Sequence, residues 1–217
     1  MKSFPLVLSA PSGGGKTTIA NALVQAREDV GYSVSATTRK PRPEERDGVD
    51  YHFITRAAFE RRVRAGAFIE WAEYGGELYG TLQAEVDGVL ASGRHAVLDI
   101  EIQGARAMRE RYSDAVLVFI VPHTAEELMR RLGGPTGTRA QSLVQRLRRA
   151  VVELREAPAY DYLVVNANRT ETVAEVAAIL DAEARRPRRN PDLAEDLTVL
   201  GREIAALADR LEKGKED

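Results

Sequence analysis

Eight residues near the N-terminus constrain this chain more than any others: Ala10-Pro11-Ser12-Gly13-Gly14-Gly15-Lys16-Thr17. They follow a short apolar run, Phe4 to Ser9, and precede a helix-forming stretch, Thr17 to Ala26. Gly-x4-Gly-Lys-Ser/Thr in that strand-to-helix position is the phosphate-loop pattern. Here Ala10 replaces the first glycine, and the pattern is intact from Gly15 onward. Glycines let the backbone curl so that several N–H groups point inward. The following helix turns its positive end toward the same point. Lys16 is placed to bridge outer phosphates and the Thr17 hydroxyl to ligate a Mg²⁺ ion. A loop of this kind demands a rigid sheet behind it, which restricts the fold to an α/β class.

The rest of the chain supplies such a sheet. Apolar strands are expected at His95 to Ile100, Ala115 to Val121 and Tyr162 to Asn166, with helical stretches at Gly104 to Tyr112, Thr124 to Gly133, Ala140 to Glu156 and Thr172 to Ala184. Strands alternating with helices imply a parallel sheet covered on both faces. The segment from Val34 to Glu85 breaks that rhythm. It reads as an insert: a strand at Val34 to Thr38, a proline-rich turn region, a helix capped by Thr55, two strand pieces around Gly75-Gly76, and a helix from Leu82 to Ser92 that carries the chain back toward the sheet. Asp99 ends an apolar strand at the edge where parallel strands open onto a ligand crevice, which makes it the second metal candidate.

Composition excludes several chemistries. There is no cysteine, so disulfides, thiolate catalysis and cysteine metal sites are excluded. The three histidines, His52, His95 and His123, lack metal-ligand spacing. A net charge of -2 argues against a nucleic-acid partner. Leu6-Val7-Leu8 is too short for a signal-peptide core, and no run approaches the roughly 18 apolar residues of a membrane span. A cytoplasmic, soluble protein is the expectation.

The insert holds the acceptor signals. Arg39 and Arg42 stand three residues apart in a proline-stiffened stretch, and arginine forks match phosphate oxygens. Tyr51 and Tyr79 add hydroxyl donors, and Glu70 sits in an apolar strand. A carboxylate there can accept from both the N1–H and the amino group of a guanine, a pair of adjacent donors that adenine lacks.

From about Pro5 to Asn168 the chain resembles the guanylate kinase family. The resemblance rests on Ser9-Ala10-Pro11-Ser12-Gly13, Ser35 with Thr37-Thr38-Arg39 and Pro41-Arg42, Asp50-Tyr51 and Phe68-Ile69-Glu70. It continues through Tyr79-Gly80, Leu98-Asp99-Ile100-Glu101 with Gln103-Gly104, and Tyr160-Asp161-Tyr162 with Val165-Asn166. It implies a three-layer P-loop NTPase fold with a GMP-binding insert and a small lid. The expected divisions are a core at 1–33 and 86–185, a lid at about 131–146 within it, the insert at 34–85, and a C-terminal basic linker and amphipathic helix at 186–217.

The resemblance further implies phosphoryl transfer from ATP to GMP, and to dGMP, with Mg²⁺. ATP would be held by residues 10–17 and Thr18. The GMP phosphate would be held by Arg39, Arg42, Tyr51 and Tyr79, and guanine by Glu70 with Ser35, Thr81 and Glu101. Lys16, Arg39, Arg131 and Arg146 would carry catalysis, with Arg149 a further candidate, and Thr17 and Asp99 would face the metal. The lid departs from the family. Pro135 stands where an arginine is expected, and Arg139 is the candidate substitute. Two rivals stay open at this level: a non-catalytic scaffold of the same fold, and a kinase of a different acceptor.

After Pro191, Leu193, Leu197, Leu200, Ile204, Leu207 and Leu211 recur at spacings of four and three. That seam needs cover, either from the chain's own domain or from a second copy through a short coiled coil. Monomer and homo-oligomer are therefore both compatible with the sequence.

Overall fold

A computed structural model of the chain describes residues 2–133 and 140–213. The main sheet is built from β1 (Pro5–Ser9), β2 (Val30–Tyr32), β7 (His95–Asp99), β8 (Val116–Pro122) and β9 (Tyr162–Asn166). The strand order is β2-β7-β1-β8-β9, and every pairing is parallel.

Alternation along these strands explains the layers. Leu6 and Leu8 of β1 join Val97, Val118 and Val164 on one face, where α1 (Lys16–Ala26) and α7 (Arg169–Ala184) supply Ile19, Leu23, Val176 and Leu180. Val7, Leu98 and Leu117 point the other way. They meet Val86 and Val89 of α3 (Gln83–Ala91) and Ala105 and Met108 of α4 (Ile102–Arg111). A two-residue side-chain period thus feeds two cores from one strand.

The second sheet has the order β4-β3-β6-β5, from β3 (Ala36–Thr37), β4 (His52–Phe53), β5 (Phe68–Tyr74) and β6 (Glu77–Leu82). Helix α2 (Arg56–Arg64) packs Phe59 onto it, with Ala36 and Leu78 completing a small core. Thr55 caps α2 by accepting from the Ala58 N–H at 3.2 Å, as its position predicts. The expected strand at Val34 to Thr38 is cut to two residues, because the chain crosses there from one sheet to the other. The three-residue β2 before it was not anticipated. It lies at the edge of the main sheet and pairs only with β7.

Helices α5 (Ala125–Arg131) and α6 (Ala140–Leu154) flank the phosphate loop and share a core of Leu128, Leu132 and Ala150. Pro135 and Arg139 lie outside the described residues. None of the helices among the described residues is long and apolar enough to cross a membrane.

The basic stretch after α7 is anchored, not a free linker. Arg189, in a 3₁₀ turn at Pro187–Arg189, is 2% exposed. It donates to Glu183 and to the Asp114 carbonyl, each at 3.0 Å, and its guanidinium lies 3.8 Å from the centre of the Phe4 ring. Beyond it, α8 (Leu193–Lys213) is not covered by its own domain: Leu197 to Leu211 stay exposed along the whole seam.

Candidate active site

The loop between β1 and α1 closes as the sequence predicts. Gly15 occupies the position before α1 with φ 94°, a left-handed backbone that disfavours any side chain. A Cβ there would also stand 2.7 Å from Asn166 Nδ2. Asn166, at the end of β9, donates instead to the Gly14 carbonyl at 2.9 Å. The bare backbone of Gly15 therefore lets β9 grip the loop directly.

Two arginines of the expected lid reach the loop. Arg131 donates to the Gly14 carbonyl at 3.1 Å and to the Asn166 carbonyl at 3.2 Å, braced by Glu127 at 2.8 Å. Arg130 and Arg131 together hold the Glu127 carboxyl down at about 2, so the brace is ionised across the physiological range. Arg146 donates to Ser12 Oγ at 3.1 Å. Glu153 accepts from the Ser12 N–H at 3.0 Å and from Arg149 at 2.6 Å.

Lys16 is paired with Glu101 at 2.6 Å. Thr17 donates to Asp99, and Asp99 also accepts from Tyr32. Burial, and then the charge of Asp99, push the Tyr32 phenol well above its ordinary value, which keeps it a donor. No cluster of three or more metal-ligating side chains occurs among the described residues. One hydroxyl and one carboxylate suit a Mg²⁺ ion, which keeps several waters and takes phosphate oxygens as its other ligands.

The insert faces this loop with a second set of groups. Arg39 makes a bidentate fork to Glu45, both contacts at 2.8 Å, and Glu45 also accepts from the Arg42 N–H at 2.7 Å. The Arg39 guanidinium first, and the Arg42 amide second, hold the Glu45 carboxyl at about 2. Tyr51 and Tyr79 stand edge to face with ring centres 6.1 Å apart, and Arg39 lies 5.5 Å from the Tyr51 ring centre.

Glu70 accepts from the Thr81 hydroxyl at 2.6 Å. Its half-buried carboxyl is raised above the ordinary carboxylate range, chiefly by desolvation, with the charge of Glu101 adding to it and Thr81 opposing it. Gly104 opens α4 to Glu70, since a Cβ there would lie 3.0 Å from Glu70 Cγ. Ser35 is used through its backbone, with its carbonyl accepting from the His52 N–H at 2.9 Å. The Arg42 side chain is exposed.

The guanylate kinase family model matches residues 2–183. The chain is 44% identical over 189 residues to the guanylate kinase of Symbiobacterium thermophilum, covering 87% of this chain and 90% of that one. It is 45% identical over 195 residues to that of Alkalilimnicola ehrlichii, covering 89% and 96%. The crystal structure of guanylate kinase from Anaplasma phagocytophilum superposes with a TM-score of 0.73 at 35% identity, over 89% of this chain and 93% of that one.

The chain belongs to the guanylate kinase family. The family model ends at residue 183, before the 3₁₀ turn, while the 195-residue match to the Alkalilimnicola ehrlichii enzyme extends past Arg189. Within that region, sequence reasoning missed four residues that organise the site: Tyr32, Glu45, Glu153 and Asn166. Three of them act on partners more than 60 residues away, which no local pattern reveals. Glu45 lies only six residues from Arg39, and a carboxylate close to an arginine pair was a usable signal.

Proposed function

We propose that the cleft between loop and insert transfers the γ-phosphoryl group of ATP to the phosphate of GMP, and of dGMP, giving ADP and GDP. The observation that carries this reading is Glu101. It pairs with Lys16 of the phosphate loop, and its charge also reaches Glu70 of the insert, so triphosphate groups and guanine groups face one cleft.

The acceptor phosphate meets Arg39, Arg42, Tyr51 and Tyr79. Glu70, assisted by Thr81, Ser35 and Glu101, reads the N1–H and amino group of guanine. Residues 10–18 wrap the triphosphate with backbone N–H groups, and Lys16 moves from Glu101 to the β and γ phosphates. An acceptor oxygen then attacks the γ phosphorus in line as its bond to the ADP oxygen breaks. No residue becomes a nucleophile. Positioning and charge neutralisation lower the barrier.

Arg131 and Arg146 already lie against the loop and supply positive charge where it builds up in the transition state. Thr17 and Asp99 would hold Mg²⁺, which would supply positive charge to neutralise the transferring phosphate. The cytoplasm, where ATP and GMP are found, is the compartment this reading implies.

A coupled ADP-release assay with GMP, dGMP, AMP and UMP tests it. Turnover with GMP and dGMP far above the others is expected. Equal rates with AMP overturn the guanine assignment.

A further inference from the structure

Helix α8 lies beyond the family match and carries its apolar seam uncovered. Leu197, Leu200, Ile204, Leu207 and Leu211 are between 49% and 70% exposed. A contiguous apolar stripe of this length is more than a soluble monomer ordinarily leaves in water. In a heptad frame Leu197, Ile204 and Leu211 take position a, and Leu193, Leu200 and Leu207 take position d. The two edges of the stripe differ. Position e holds Ala194, Gly201 and Ala208, and position g holds Asp196, Glu203 and Arg210.

We propose that α8 pairs antiparallel with α8 of a second copy, about a two-fold axis close to Gly201. In that register every seam residue finds an apolar partner: Leu193 faces the partner's Leu211, Leu197 faces the partner's Leu207, and Leu200 faces the partner's Ile204. Along the e edge, Ala194 meets the partner's Ala208 and Gly201 meets the partner's Gly201. Nothing larger than a methyl group stands there, so the helices approach closely.

Along the g edge, Asp196 meets the partner's Arg210, and symmetry makes this pair twice. One contact between Glu203 and the partner's Glu203 opposes them. A parallel pair would instead set Asp196 against the partner's Gly201 and Glu203 against the partner's Ala208, with no opposite charges facing. None of the salt bridges among the described residues uses Asp196, Glu203 or Arg210, and the Arg210 guanidinium donates through Nε to the Ala206 carbonyl at 3.2 Å. Charge therefore selects the antiparallel partner and the seam supplies the affinity.

The full chain is tested by sedimentation velocity over a concentration series. A mass twice 23.9 kDa is expected at high concentration. Arg210→Asp should raise the dimer dissociation constant about tenfold, by turning two attractive pairs repulsive, and adding Asp196→Arg should restore it.

The chain has no cysteine, so single replacements report geometry cleanly. Under mild oxidation Gly201→Cys should cross-link to itself. Ala194→Cys should not, but it should cross-link when mixed with Ala208→Cys. A mass of one chain at every concentration overturns the proposal, including the case where α8 folds back onto the exposed Leu163 and Val165 of β9. Self-linking of Ala194→Cys as fast as that of Gly201→Cys overturns the antiparallel register.

Discussion

At the scale of single residues, Glu70 serves two opposed requirements. In the proposed function guanine recognition needs its carboxylate, yet burial disfavours that charged form. A carboxyl raised by burial contributes stability below its unfolded pKa and loses it as pH rises through the folded value. Glu70→Gln should therefore raise the melting temperature at neutral pH, with the gain fading in acid where both side chains are neutral. The same variant should lower kcat/KM for GMP by about tenfold to a hundredfold, because an amide cannot accept from both guanine donors. Calorimetry and steady-state kinetics on one preparation check both.

Lys16→Ala should abolish turnover while GMP still binds, as read by isothermal titration. Near-full activity would remove Lys16 from the mechanism. Lys16, Arg39 and Glu70 could be proposed from the sequence because phosphate and guanine chemistry call for those residue types near one another. Tyr32 and Asn166 were not. Each acts only after folding brings it to Asp99 or Gly14, and neither residue type is diagnostic by itself.

At the scale of elements, legibility followed length and period. The five-residue strands of the main sheet and the capped helices stand close to where their patterns put them. The two-residue β3 and β4 and the three-residue β2 are too short to carry a period. Helix α4 has a further role. It packs against β5, and the missing side chain of Gly104 leaves room for Glu70. Gly104→Ala should raise KM for GMP severalfold and leave KM for ATP unchanged, as alanine favours the helix but pushes on Glu70. Parallel effects on both substrates would mean that α4 shapes the whole cleft.

At the scale of the whole molecule, the question is where the compact body ends. The family match stops at residue 183, but the core continues to Arg189. Arg189→Ala should cost about 3 kcal/mol in urea unfolding, since it strips Glu183 of a partner held in the interior. A chain ending after Asn190 should keep full stability and activity. Composition alone hid this, because four arginines among six residues look like a solvated run.

The anchor also has a mechanical meaning. Arg189 is pinned to α7 through Glu183, to the loop before β8 through Asp114, and to the start of β1 through Phe4. The root of the appended helix is thus a rivet through three separate parts of the core. A pull on α8 is shared among those parts and does not peel α7 away alone, so the helix can bear a load without loosening the enzyme beneath it.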